Sequence, residues 1–242
     1  MKFRTSRAGI VTTIRYYRAP LETGPHTGRL WTVGGTLLGT ATFSGETASG
    51  WQSATVTTPV ILAANTTYVV SVNTNSYYPF TGQGLAASIA NNPLSTVADG
   101  ANGVINDIAG IFPNRSFNNA NYFRDVLFTP FSAFEQWKMN AGLAYNASPT
   151  TDSDGDGMSL LLEYAFGSNP LLSSDAARPR FDGATYSFYR ARADLIYTVE
   201  TSEDLVLWTT LATDPGTAGQ LVSMVAPNSP QRLFMRVRII SP

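Results

Sequence analysis

Val11-Thr12-Thr13-Ile14-Arg15-Tyr16-Tyr17 alternates apolar and polar side chains, the period of a strand with one face turned inward, and its β-branched and aromatic residues suit a pleated sheet. Outward from this run the same signal recurs. Gly24-Pro25 breaks it, Arg29-Leu30-Trp31-Thr32 resumes it, and Leu37–Phe43, Gln52–Thr57 and Thr67–Asn73 continue it until Tyr122–Thr129 closes the series. Toward the N-terminus, Met1-Lys2-Phe3-Arg4-Thr5 reads as though the chain begins inside a strand. Short strands at this spacing predict a β-sandwich, jelly-roll-like, over residues 1–130. The Asn/Gly-rich stretch 75–121 has few strand signals, and loops of that length commonly carry binding residues.

Composition agrees with a mainly β chain. Of 242 residues only 14% are charged, well below the ~25% typical of soluble domains. The chain instead holds 20 Gly and 14 Pro, as many short strands with many turns require. Absence of Cys excludes disulfides, thiolate metal sites and Cys nucleophiles. A sole histidine, His26, excludes the His-Glu-x-x-His metalloprotease motif. The net charge of −1 without a basic block argues against nucleic acid as a partner, and no apolar run approaches a membrane span. Lys2, Arg4 and Arg7 precede no apolar stretch of the kind a signal peptide needs, so an N-terminally truncated fragment is expected.

Charge is unevenly spread. Residues 1–130 carry 8 basic and 5 acidic side chains, 131–176 carry 1 and 6, and 177–242 carry 7 and 6. The acidic middle is also where helical periodicity occurs. Ser132-Ala133-Phe134-Glu135 is a capping-box start, with Phe134, Trp137, Met139 and Leu143 following at helical spacing. Met158, Leu161, Leu162, Ala165 and Phe166 mark a second short helix that Gly167 stops. Between the two lies Asp152-Ser153-Asp154-Gly155-Asp156-Gly157-Met158-Ser159-Leu160-Leu161-Leu162-Glu163, which satisfies Asp-x-Asp-x-Asp-Gly-x5-Glu.

This motif predicts a Ca2+ site. A hard cation takes six to eight oxygens at about 2.3–2.6 Å, and carboxylates at loop positions 1, 3 and 5 converge only if the chain turns sharply after them. Asp152, Asp154 and Asp156 supply those carboxylates, Gly157 the turn, Met158 a backbone carbonyl and Glu163 a closing bidentate carboxylate. Leu160, at the ninth position, has no side-chain oxygen to offer, so that place falls to water or stays vacant. The expected role is structural: metal fixes the 145–170 segment within a helix–calcium loop–helix connector, 131–176, between two β domains, the second being a small antiparallel domain over 177–242. There Tyr186–Tyr189, Leu195–Val199, Leu205–Leu211 and Leu233–Ile240 alternate, with Ser202-Glu203-Asp204 as a turn.

Several motifs in order carry a resemblance. Thr23-Gly24-Pro25-His26-Thr27-Gly28-Arg29-Leu30-Trp31, Gly35-Thr36-Leu37-Leu38, Phe43-Ser44-Gly45-Glu46-Thr47-Ala48-Ser49-Gly50-Trp51-Gln52, Thr66-Thr67-Tyr68-Val69-Val70-Ser71 and Asn121-Tyr122-Phe123-Arg124-Asp125-Val126-Leu127-Phe128 resemble a bacterial extracellular domain of unknown function. That family occurs in large secreted multidomain proteins, beside fibronectin-like, cadherin-like and polysaccharide-degrading domains. The resemblance implies a β-sandwich in an extracellular setting and brings no catalytic residues with it; the strand expected before Phe3 is missing here. The acidic loop, one helix and Gly167-Ser168-Asn169-Pro170 resemble a thrombospondin type-3 or dockerin-like calcium repeat, although those families usually carry Asn where this chain has Leu160. Tyr197–Leu205 with Trp208 looks like a recurring C-terminal module of secreted bacterial proteins.

Weighed together, these features predict a non-catalytic, calcium-binding extracellular accessory or adhesion module of a larger secreted or surface protein. A polysaccharide or cell-surface glycan and the parent protein's other domains are its expected partners. Tyr77, Tyr78 and Phe80 are the candidate sugar-stacking rings, because they fall in a loop-like stretch where burial is hard to arrange. His26, in a Gly-Pro turn, either touches a ligand or hydrogen-bonds its own loop. Two alternatives stand beside this reading: a polysaccharide-active enzyme, which needs two carboxyls placed across a cleft, and a pure structural spacer.

Overall fold

The strand signals of the first half appear as β1 (Lys2–Thr5), β2 (Gly9–Arg18), β3 (Thr27–Thr32), β4 (Leu37–Thr42), β5 (Gly50–Leu62) and β6 (Thr67–Val72) in a computed structural model that describes residues 1–228 and 232–241. Four very short strands follow in the Asn/Gly-rich stretch: β7 (Ala90–Asn91), β8 (Leu94–Thr96), β9 (Val104–Ile105) and β10 (Arg115–Ser116). β11 (Arg124–Pro130) ends the series. Sheet order is β4-β3-β6-β1-β8-β7 in one layer and β11-β2-β5 in the other, with every pairing antiparallel.

The two layers close on one core. Val11, Ile14, Tyr16, Ala54, Val56, Val60, Leu62 and Val126 from the three-stranded sheet meet Phe3, Leu30, Ala41, Tyr68, Val70 and Val72 from the six-stranded one. This is a β-sandwich, and each large apolar side chain buried in it contributes about 1.5–3 kcal/mol of transfer free energy. β5 runs past the expected Thr57 because a bulge rescues its alternation. Thr57, Thr58 and Pro59 are exposed in succession, and burial resumes at Val60 where the register with β2 shifts between Val11 and Thr13. Gly39 lets the layers approach there, since a Cβ at that position would come within 2.7 Å of Val60 Cγ2.

Met1–Phe131 and Ser132–Pro242 form separate compact units. In the second, α1 (Ala133–Asn140) begins at the expected capping box, with Ser132 Oγ accepting from the Glu135 amide while the Glu135 carboxylate accepts from the Ser132 amide. α2 (Leu160–Phe166) is followed by β12 (Arg180–Phe181), β13 (Thr185–Arg190), β14 (Ile196–Ser202), β15 (Thr209–Thr213), β16 (Gln220–Val225) and β17 (Phe234–Ile240). The sheets are β12-β13-β16 and β15-β14-β17.

Three expectations for this half are modified. The segment 131–176 and the strands beyond it share a core: Met158, Tyr164, Ala165 and Phe166 pack with Tyr186, Phe188, Leu195, Tyr197, Val199 and Val222, flanked by Phe134 and Trp137. The expected strand Leu205–Leu211 begins only at Thr209. Ser202 Oγ accepts from the amides of Asp204 and Leu205, and Asp204 Oδ1 from those of Val206 and Leu207, so the backbone donors of 204–207 are diverted from a ladder. Finally, the inward side of α2 is Leu160, Glu163, Tyr164, Ala165 and Phe166, with Leu161 and Leu162 only half-buried. Among the described residues no helix is long and apolar enough to cross a membrane.

Candidate functional site

The acidic loop is built by its own backbone amides. Asp152 accepts from Gly155 N–H at 2.9 Å through Oδ1 and from Gly157 N–H at 2.8 Å through Oδ2, which holds its carboxyl below the usual carboxylate range. Asp154 Oδ1 accepts from the Asp156 amide at 3.2 Å and Asp156 Oδ1 from the Met158 amide at 2.7 Å. Gly157 makes the sharp turn with φ of 86°, a left-handed conformation that costs a side-chain-bearing residue about 1–2 kcal/mol. The loop closes on the preceding chain through Leu160 N–H to Thr151 O at 2.8 Å and Leu161 N–H to Pro149 O at 3.0 Å. As a result one carboxylate oxygen from each of Asp152, Asp154 and Asp156 lies within 4.8 Å of the others.

Glu163 supplies an independent observation. Its side chain is 0% exposed, and neither carboxylate oxygen has a hydrogen-bond partner. The Asp154 Oδ2 atom is likewise buried and unpartnered. Packing forces Glu163 into this position: Tyr164 donates its hydroxyl to Asp194 at 2.8 Å and lies under the Arg192 guanidinium, while Tyr197 donates its hydroxyl to Ala165 O at 2.6 Å. With α2 pinned at the two residues that follow it, Glu163 stands against the acidic loop. Burial, then the charges of Asp154, Asp156 and Asp152, push its carboxyl up to about 7. The nearby Ser168 hydroxyl acts in the opposite direction but by less; a buried carboxylate so poor in donors is costly, and three more carboxylates nearby increase that cost. A divalent cation would relieve both. The donor set is all oxygen, which suits a hard cation such as Ca2+.

Leu160 is wholly buried in the helix, so the ninth loop position offers no side-chain ligand. Sequence reasoning did not find Arg178. Its guanidinium donates to the Asp156 carbonyl and pairs with Asp175 at 2.6 Å, and Ser174 N–H reaches Asp156 Oδ2 at 3.2 Å, so Asp156 anchors the 174–178 segment to the loop. No spacing rule relates an arginine 22 residues away to this loop.

The remaining candidates lie in the first unit. Tyr77, Tyr78 and Phe80 are each about half exposed, and Tyr78 and Phe80 gather around Tyr122 with ring centroids 5.7 and 6.1 Å away. His26 is placed differently: it is fully buried and meets no solvent. Its Nε2 lies 3.1 Å from Glu22 Oε1, and its Nδ1 lies 2.7 Å from Glu46 Oε2 and 2.9 Å from the Tyr16 hydroxyl, which itself donates to Glu46. Glu22 also accepts the amides of Asn75, Ser76 and Tyr77 at 2.5, 3.0 and 2.5 Å. Burial alone would raise the Glu22 carboxyl, but those amides and His26 outweigh it and hold it at about 2. The cluster therefore fastens the loop bearing the exposed rings to the sandwich interior. The alternation of Tyr16 and the turn positions of Glu22, His26 and Glu46 gave no sign of their meeting.

The chain belongs to a family of domains of unknown function, DUF4082, matched over residues 1–124. The acidic loop lies outside the matched residues. No curated protein and no solved structure matches the chain.

Proposed function

We propose that this chain is a non-catalytic accessory or adhesion module of a larger secreted or surface protein, and that its second unit is held in shape by a Ca2+ ion bound by Asp152, Asp154, Asp156, the Met158 carbonyl and Glu163. The observation that carries the reading is Glu163, buried with two unpartnered oxygens against three further carboxylates. Likeness to thrombospondin type-3 or dockerin-like repeats supports it: α1 ends at Asn140, well short of Asp152, and a single helix with Gly167 in the left-handed stop conformation follows the loop. A site of this kind with an affinity on the order of 10⁻⁴–10⁻³ M fills where calcium is plentiful, which suits an extracellular and bacterial secreted setting.

The non-catalytic reading is supported by where the first unit's close carboxylates sit. Glu22 is buried and Glu46 largely so, both brought to His26 with their oxygens committed to Tyr16, His26 and backbone amides, whereas glycoside hydrolysis needs two carboxyls about 5–10 Å apart across an open cleft.

The test is thermal unfolding with excess Ca2+ and with chelator, on the wild-type chain and on Asp154→Ala and Asp156→Ala. At a hundredfold excess over the dissociation constant the cation stabilises the folded state by about 2.7 kcal/mol. Wild type should show the corresponding rise in midpoint, and both variants should lose it. An equal rise in all three chains, or none in wild type, removes the site.

A further inference from the structure

The outer face of the β11-β2-β5 sheet carries aromatic rings that the calcium reading does not use. Tyr17 and Trp51 are register partners on β2 and β5, both exposed, and their rings meet edge to face at 5.9 Å. Phe123 adds a third ring 6.4 Å from Tyr17. The next residue back, Tyr122, belongs to the cluster with Tyr78 and Phe80. The two groups of rings, one foreseen in a loop and one on the sheet, thus include the consecutive, half-buried residues Tyr122 and Phe123.

These rings stand on fixed backbone. Phe123 holds a left-handed conformation with φ of 55°, its amide donating to Asn121 Oδ1 at 2.8 Å and its carbonyl accepting from Tyr17 N–H at 3.0 Å. Thr81 and Asn121 exchange both backbone hydrogen bonds, at 3.0 and 2.9 Å, and the Glu22 carboxylate holds the amides of 75–77. Binding on such a surface orders little that is not already ordered, so less of the contact energy is lost to entropy.

The polar groups among the rings define the ligand. The Arg15 guanidinium lies over the Trp51 ring, 5.1 Å from its centroid, and pairs with Asp125 Oδ2 at 3.3 Å, both side chains being partly exposed. A donor and an acceptor therefore sit side by side on the aromatic face with no net charge. A polyanion such as nucleic acid needs uncompensated cations, and a purely apolar partner gains nothing from a charged pair it would have to desolvate. A sugar ring matches both parts: its C–H face is apolar, and the hydroxyls on its rim both donate and accept.

We propose that the strip formed by Trp51, Tyr17, Phe123, Tyr122, Tyr78 and Phe80 is a binding surface for a neutral, extended polysaccharide, with Arg15 and Asp125 engaging its hydroxyls. The ligand chain lies along the rings, several sugar units contributing weakly and together. This goes beyond the calcium reading and does not depend on it.

Native affinity electrophoresis of the full chain tests it, in gels containing mixed-linkage β-glucan, xyloglucan or galactomannan as neutral probes and alginate or polygalacturonate as acidic ones, each run with excess Ca2+ and with chelator. At least one neutral polysaccharide should retard the wild-type chain in excess Ca2+. Trp51→Ala and Tyr78→Ala should each weaken that retardation tenfold or more, while Leu127→Ala, an exposed aliphatic change on the same sheet face, leaves it intact. Because all three side chains are exposed, thermal midpoints should match wild type; should Trp51→Ala lower its midpoint, Arg15→Ala serves as the second variant, with the same loss of retardation expected. No retardation by any neutral probe overturns the proposal, as does retardation by acidic probes alone or retardation that survives the combined Trp51→Ala/Tyr78→Ala change.

Discussion

Replacing Glu163 by glutamine keeps the shape of the side chain and removes the charge that a cation would balance, and the consequence reverses with metal. In the metal-free protein, burial and the neighbouring aspartates raise this carboxyl from 4.5 to about 7. At about 1.4 kcal/mol per pH unit, that difference is worth roughly 3 kcal/mol. Its sign follows from proton uptake. Between 4.5 and 7 the folded state holds a proton that the unfolded state has released, so stability is greatest below 4.5 and falls as pH rises through 7. Metal-free wild type should therefore lose up to about 3 kcal/mol of local stability around α2 between pH 5 and pH 8. Metal-free Glu163→Gln should lose none of it. With saturating Ca2+ the order changes, because the ionised carboxylate then has a counter-charge: wild type should gain stability at pH 8 and Glu163→Gln little. Native-state hydrogen exchange of peptides covering Leu160–Phe166, corrected for intrinsic exchange at each pH, reads these opening energies directly. A pH slope that is the same in chelated wild type and chelated Glu163→Gln would refute the placement of a proton on this buried side chain, and with it the argument that a cation is needed there.

Two further outcomes follow from the first unit. Glu22 behaves with the opposite sign: held at about 2, it contributes stability above its ordinary 4.5 that is lost as pH falls toward 2, so Glu22→Gln should cost roughly 3 kcal/mol in urea unfolding at pH 7 and much less at pH 3; an equal cost at both would assign the effect to packing instead. Gly9→Ala should destabilise the sandwich by about 1–3 kcal/mol, because a Cβ there would stand 2.2 Å from the Thr129 carbonyl and 2.7 Å from Pro130 Cα, backbone atoms that cannot swing aside; a thermal midpoint equal to wild type would show that β2 and β11 are not in that close register.

Local patterns read well where one face of an element is buried and the other is wet. Val11–Tyr17 and Phe234–Ile240 are such cases, and the capping box at Ser132 declares its helix without help from the rest of the chain. Reading is weaker where a side chain serves the backbone. The alternation through Leu205–Leu211 is genuine, yet Ser202 and Asp204 capture the amides that a strand there would have donated. β5 is the converse, since Pro59 interrupts its pattern while a bulge preserves its pairing.

Sequence alone determined that the chain is mainly β, that a helical acidic segment lies between two strand-rich stretches, and that one loop has the residue types and spacing of a calcium site, because strand period, capping and a twelve-residue loop are all local in the chain. Tertiary structure decided the rest. It placed α2 and the C-terminal strands around one core, and so left the Glu163 oxygens without a partner beside the acidic loop. It closed two sheets over His26, turning a candidate ligand contact into a clamp between Glu22 and Glu46. It also brought Tyr17 and Trp51, register partners on β2 and β5, against Phe123, which immediately precedes β11. Pairing between distant strands and burial by distant side chains leave no period in the sequence to read, since both depend on which surfaces meet once the chain has closed on itself.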